Sequence, residues 1–358
     1  MPGREPRYPT LLLALAAVAL LLQGFAYPDC LSDDAFISFR YADSLVGGHG
    51  LVFNPGEPPV EGYTNFLWTL LMAGGMALGL DPEPTSRRLG IAFALLAMVC
   101  SYQAIRRILP GQPVLWALPA WLLAADSFFV VEAIQGLETV MFAAFLTAAA
   151  ARVPGDLPAP GAAPGEATRF PISGLWFALA ALTRPEGWML FLVVAGLRGL
   201  ELLRFRQVPG RPDRIWAALF AVPVAAHLIF RRSFYGDWLP NTFFAKTGGG
   251  GEQVLRGMAY VGTGMARMVP WLALGALLLW LQRGAGHRKQ RRAVLVVASL
   301  WLVSAAGVVA VGGDFKPTFR FLVWTFPLLA VLATAGIGGL ARRVDAAHRR
   351  PGTVLVAT

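Results

Sequence analysis

Residues Tyr8 to Tyr27 carry no charged side chain, and the chain keeps returning to stretches of the same kind. Crossing about 30 Å of hydrocarbon takes about 20 helical residues at roughly 1.5 Å each. Segments that meet this need, or come close to it, fall at 8–27, 89–105, 113–131, 137–151, 171–185, 187–203, 215–230, 268–282, 293–311 and 321–340. With no water to satisfy backbone groups in lipid, such segments must be helices. The expected fold is therefore an all-α membrane protein, a polytopic helical bundle of about ten transmembrane helices. The stretch 11–22, followed by Gly24 and Ala26, also fits a signal-peptide core. An anchor is the better reading, because so many later segments need a membrane.

Charge sets the orientation. Lys and Arg collect in cytoplasmic loops. With Arg4 and Arg7 inside, the ten-span arrangement places Arg106, Arg107, Arg152, Arg198, Arg204, Arg211, Arg214 and the basic run 283–292 inside as well. Most acidic residues then face outward. The apolar segment 63–80 contains Gly74, Gly75 and Gly79. If it spanned, every later loop would invert, so it reads as a helix lying in the outer interface. The expectation is a single domain, residues 1–358, in the cytoplasmic (inner) membrane with both termini in the cytoplasm. Its first outer loop runs over about 28–88, and no soluble domain is expected after the last span.

The net charge of +10 would suggest nucleic acid in a soluble protein. Here topology accounts for it, and no nucleic-acid partner is expected. Cys30 and Cys100 are too few for a disulfide framework. The Pro-, Ala- and Gly-rich stretch 153–169 reads as a flexible cytoplasmic linker. Gly248 to Gly251 reads as a hinge rather than a phosphate cradle, since no strand and Gly-Lys-Ser pattern surrounds it. His227 reads as a packed core histidine. Trp68, Trp238 and Trp324 read as interfacial belt residues.

The chemistry concentrates on the outer side. Asp33 and Asp34 follow the first span. Ser32 is placed to cap a helix that starts at Asp33, runs through Phe36, Phe39 and Arg40, and ends at Gly47 and Gly48. The aspartates would then occupy its first turn, where the helix dipole keeps them ionised. That suits a base or a metal ligand. Successive helical residues project about 100° apart, so one aspartate is expected to act while the other orients or binds. Four further polar clusters share this side: Gln135 to Thr139 with Glu138, Thr183 to Gly187 with Arg184 and Glu186, Tyr235 to Thr242 with Asp237 and Asn241, and Gly312 to Arg320 with Asp314 and Lys316. Charges at membrane depth tend to be paired or functional. A lipid-linked phosphate departs as an anion and needs cations rather than an acid. Candidate cations are Arg40, Arg184, Lys246, Lys316 and Arg320. A single carboxylate then suffices to take the proton of an incoming hydroxyl.

The run Asp33-Asp34-Ala35-Phe36-Ile37-Ser38-Phe39-Arg40-Tyr41-Ala42, continued by 48–57 and 60–68, resembles the first outer loop of integral-membrane glycosyltransferases of the GT-C superfamily. It is most similar to the branch that holds the mycobacterial terminal β-arabinofuranosyltransferases. The 235–242 and 313–315 runs are similar to later loops of that branch. The resemblance implies an inverting transfer of sugar from a polyprenyl-phosphate donor to a glycan, lipid or protein acceptor outside the membrane. It further implies that Asp33 or Asp34 is the catalytic base, with Glu138 matching a second acidic position. A divalent cation serves some members and not others, so a metal stays open. A transporter or flippase of a lipid-linked sugar, or a non-catalytic membrane subunit, is the alternative. Polar residues gathered at span ends rather than span centres weigh against transport.

Overall fold

Apolar segments become helices because lipid offers their backbones no other partner. The computed structural model describes residues 6–27, 30–157, 159, 170–241, 250–266, 288–314, 316 and 318–348, and among them no strand occurs. In chain order the helices are α1 Tyr8–Phe25, α2 Ala35–Val46, α3 Phe66–Ala77, α4 Pro82–Ile108, α5 Leu118–Ala124, α6 Ser127–Ile134 and α7 Thr139–Asp156. They continue as α8 Ser173–Thr183, α9 Glu186–Arg204, α10 Arg211–Tyr235, α11 Gly250–Ala266, α12 Arg288–Val311, the single turn α13 Arg320–Val323 and α14 Phe326–His348.

Among the described residues, α1, α4, α10 and the 290–311 part of α12 are long and apolar enough to cross a membrane. The expected span at 113–131 is broken: α5 and α6 meet at 65°. The cause is Asp126, whose carboxylate accepts the Phe129 amide at 2.9 Å and starts a new helix. The expected span at 171–185 yields the 11-residue α8, which rises only about 17 Å. Helix α3, with 12 residues, is also shorter than a crossing, as expected for 63–80. The expected span at 268–282 lies outside the described residues.

The bundle is organised around α7, whose residues from Thr139 to Ala151 are all buried. Six alanines there, Ala143, Ala144 and Ala148 to Ala151, present a small-residue surface that lets α4 and α8 approach closely. Residues 153–156 of the stretch read as a linker form the last turn of α7. Helix α7 continues to Asp156, which accepts the Ser173 amide at 2.8 Å and pairs with Arg152 at 3.2 Å. Residues 160–169 fall outside the described set. So do 248 and 249 of the glycine run, while Gly250 and Gly251 open α11.

Glycines mark the tightest crossings. A β-carbon on Gly90 of α4 would sit 2.1 Å from the Ala133 carbonyl oxygen of α6, and one on Gly174 of α8 would sit 2.1 Å from the Trp216 carbonyl oxygen of α10. Backbone must shift to admit either. Gly90→Ala and Gly174→Ala are each expected to cost about 1–3 kcal/mol of stability. Gly196→Ala, where nothing lies within 4 Å, is expected to be neutral or to stabilise by about 0.5–1 kcal/mol. Thermal denaturation of the purified variants in one detergent compares the three.

Candidate active site

The first connection, between α1 and α2, is pinned where it leaves the bundle. The Ser32 amide donates to the Gln135 carbonyl at 2.9 Å. Gly136, at φ +80°, lies against Leu31, Ala35 and Ser86, and its carbonyl accepts the Trp68 indole N–H at 3.1 Å. A side chain at 136 has neither a favoured backbone nor space. The second polar cluster thereby comes to rest directly beside Asp33 and Asp34.

Helix α2 starts later than the sequence suggests. It begins at Ala35, with Asp34 rather than Ser32 at the N-cap and no side chain capping it. Its far end is as expected, at Gly47 and a left-handed Gly48. The aspartates therefore stand in the turn before the helix, and the 100° restriction does not separate them. Lys316 Nζ reaches both, at 3.3 Å from Asp33 Oδ1 and 3.0 Å from Asp34 Oδ2, and it also donates to Ser32 Oγ. The carboxylates turn toward these cations rather than toward helix amides, because a charged partner makes the stronger hydrogen bond.

Arg320 completes the group. Its Nη1 donates to Asp34 Oδ2 at 2.6 Å, and its Nε donates to Asp314 Oδ2 at 2.5 Å. The segment that carries both cations is held from below: Thr318 donates to the buried Glu132 of α6 at 2.7 Å. Phe319, just before Arg320, has a left-handed backbone at φ +53° and packs its ring on Phe128 and Tyr260. A non-glycine residue in that region is strained, and such strain gathers at functional sites. Asp33, Lys316, Thr318, Cys30, Leu31, Ser32 and Gln135 line an open cleft of about 430 Å³.

The two aspartates differ in setting. The Asp33 side chain is 89% exposed. The Asp34 amide and then Lys316 hold its carboxyl below the ordinary value of 3.8. Asp34 is 31% exposed. Partial burial is the largest influence on it and pushes it up, but Arg320 and Lys316 together prevail and keep it low. A folded value below the unfolded one stabilises above 3.8 and ceases to do so as pH falls below it. The stability gap between the wild-type protein and Asp34→Asn is thus expected near neutral pH and should close below about pH 4. Thermal melts in matched buffers measure it.

A second layer lies beside the first. Arg184 caps α8 and is buried, donating to Glu138 Oε1 and Glu186 Oε1, each at 2.9 Å. Glu138 Oε2 accepts from Asn65 at 2.9 Å, and Asn65 in turn pairs with Ser38 of α2 and Thr69 of α3. The guanidinium carbons of Arg184 and Arg320 stand 5.2 and 5.3 Å from the Phe321 ring centroid. Two rows of charge are thus joined through one aromatic side chain. Asn65, Glu132 and Thr318 were not among the expected site residues. Asn65 and Thr318 lie inside the runs 60–68 and 312–320 quoted above, whereas the only sequence signal for Glu132 was proximity to Gln135 to Thr139.

Other expected members go elsewhere. Arg40 is exposed, donates to the Phe53 carbonyl at 2.9 Å and pairs with Asp43, apart from the aspartate cluster. Tyr235 donates to the Leu51 carbonyl at 2.7 Å and meets Tyr63, tying α10 to the segment between α2 and α3. Glu61 and Arg231, 2.7 Å apart, reinforce the same tie. Asp237 and Asn241 are exposed beyond α10, and among the described residues neither pairs with the aspartate cluster. Lys246 lies outside the described residues. Among the described residues no group of three or more His, Cys, Asp or Glu is arranged to hold a metal. The three carboxylates of the cluster are turned onto Lys316 and Arg320 instead.

The described helices make this a polytopic helical membrane protein of ArnT-like fold. The chain superimposes on ArnT from Cupriavidus metallidurans bound to undecaprenyl phosphate with a TM-score of 0.67, covering 95% of this chain and 62% of that one at 16% identity. The Archaeoglobus fulgidus oligosaccharyltransferase, solved with zinc and sulfate, matches at a TM-score of 0.53 and 14% identity, covering 95% of this chain and 50% of that one. In sequence the chain is 28% identical to the terminal β-(1→2)-arabinofuranosyltransferase of Corynebacterium glutamicum, over 86% of this chain and 48% of that protein. It is also 28% identical to the enzyme of the same name from Mycobacterium tuberculosis, over 92% of this chain and 56% of that protein. The chain therefore spans about half the length of the curated relatives it matches. The resemblance read from the first-loop motif holds along most of this sequence. No family model matches the chain.

Proposed function

We propose that this protein is a membrane glycosyltransferase that moves a sugar from a polyprenyl-phosphate donor to an acceptor hydroxyl on the outer face of the cytoplasmic membrane, inverting the anomeric centre. The observation that carries the reading is one open cleft in which the exposed carboxylate of Asp33 adjoins the cation Lys316, with Arg320 next to it. The names of the relatives and the undecaprenyl phosphate bound by ArnT support it.

In this reading Asp33 accepts the acceptor's hydroxyl proton as that oxygen bonds to the anomeric carbon. The bond from that carbon to the phosphate oxygen breaks, and the lipid phosphate leaves as an anion beside Lys316 and Arg320. Asp34 and Asp314 hold the cations in place. Glu138 has both carboxylate oxygens engaged and is 8% exposed, which suits a positioning role better than proton transfer. The acceptor is a glycan, lipid or protein hydroxyl.

The test is incubation of the protein in nanodiscs with polyprenyl-phosphate sugars and hydroxyl acceptors, following released polyprenyl phosphate and new glycoside together. The two are expected in equal amounts. Donor recovered unchanged from the nanodiscs, with neither product formed, would overturn the proposal.

A further inference from the structure

Counting donors around Lys316 leads to a property of this cleft beyond the reaction itself. An ammonium has three N–H bonds. Lys316 Nζ already has three oxygen neighbours, on Ser32, Asp33 and Asp34. Arg320 spends Nε and Nη2 on Asp314 and Nη1 on Asp34; a guanidinium has five N–H bonds, so with three in use it can add an acceptor without releasing one. Lys316 can accept a phosphate oxygen only by giving up a partner.

Asp33 is the partner most easily given up. Its contact is longer than that of Asp34, 3.3 Å against 3.0 Å, and its side chain is far more exposed. Asp34 is additionally held by Arg320. Asp33 would also stay in place once released, because its Oδ1 keeps the Asp34 amide at 3.0 Å and the Ser32 hydroxyl at 3.3 Å. We infer that the donor's phosphate displaces Asp33 from Lys316, so that arrival of the donor itself frees the base. This rests on the function proposed above and adds an order of events to it: without donor the carboxylate is neutralised by its own lysine, and with donor it is available to the acceptor.

The groups facing Asp33 are Asp34 and Ser32 on its own segment, Lys316 and Thr318 from the segment before α13, and Cys30 and Gln135 across the cleft. Arg320 and Asp314 stand one contact further away. Removing the competing carboxylate should therefore strengthen the binding of a lipid phosphate even as it abolishes transfer. Asp33→Asn is expected to bind undecaprenyl phosphate roughly two- to fivefold more tightly than the wild-type protein, the range for an exposed ion pair. Asp43→Asn removes the same charge from the neighbouring helix α2 without touching Lys316, and its affinity should be unchanged. Binding is read by titrating undecaprenyl phosphate into each protein in detergent.

Equal or weaker binding by Asp33→Asn overturns the exchange. So does equal tightening by Asp43→Asn, which would reduce the effect to net charge. A wild-type protein that does not bind undecaprenyl phosphate removes the underlying function instead. A second readout uses the wild-type protein alone: the acid limb of kcat, which reports the donor-bound state, should lie at higher pH than that of kcat/KM for donor, which reports the free protein. Coincident limbs overturn the exchange independently of any substitution.

Discussion

Asp33→Asn is expected to lower sugar transfer at saturating donor by about 10²- to 10⁴-fold, the usual contribution of a positioned general base. The size follows from what the substitution removes and what it spares. An amide has the shape of a carboxylate but cannot take the acceptor's proton, whereas the cleft, Lys316 and Arg320 all remain. Asp34→Asn should behave differently. It deprives Lys316 and Arg320 of the oxygen they share, so its loss should appear largely in the KM for donor, with a smaller fall in kcat. Transfer rates measured across a range of donor concentrations separate the two patterns. Unchanged kcat in Asp33→Asn would reject it as the base. A kcat loss confined to Asp34→Asn would move that role one residue along the chain.

The difference between the two aspartates was not visible in the sequence, and the reason is physical. From sequence, Ser32 and the following apolar pattern gave a helix starting at Asp33, and helix geometry then separated the pair. The helix starts two residues later because Asp33 and Asp34 bond to Lys316 and Arg320, some 280 positions away in the chain. Local capping preference gave way to a tertiary ion pair. Segment character was more readable. Among the described residues the apolar stretches became helices, and the glycines after α2 ended it. What the hydropathy pattern hid was the break at Asp126, where one capping carboxylate divides an apolar run into α5 and α6.

Cluster membership shows the same division. Charged residues at the ends of apolar segments were expected to converge, and those around Glu138, Arg184 and 314–320 do. Arg40 failed the expectation because helical periodicity on α2 turns it away from Asp34, toward Asp43 and the Phe53 carbonyl. Tyr235 went elsewhere because it and Arg231 bind the segment between α2 and α3, at Leu51 and Glu61. Motif proximity in sequence could not say which partner the segments before and after α2 would each hold.

The largest loss of stability is expected from Arg184→Met, at about 3–5 kcal/mol, the cost of leaving buried charge without its counterion. Arg184 is 8% exposed, and both acids that it serves, Glu138 and Glu186, take their hydrogen bonds from the two ends of its guanidinium. Methionine would fill the space between Phe142 and Phe321 but would leave Glu138 held by the Asn65 amide without its cation. Arg184→Lys should fall between the wild-type protein and Arg184→Met, since one ammonium cannot reproduce the two-armed contact. If the loss arises from stranded charge rather than lost packing, Arg184→Met combined with Glu138→Gln should be more stable than Arg184→Met alone, and the double-mutant cycle should show a coupling of about 0.5–3 kcal/mol. Thermal denaturation in a single detergent gives the four corners of that cycle. Additive losses would mean that Arg184 acts as a spacer between aromatic rings. Coupled losses would mean that the charge row behind the cleft holds Phe321, and with it the neighbouring Arg320, by electrostatics.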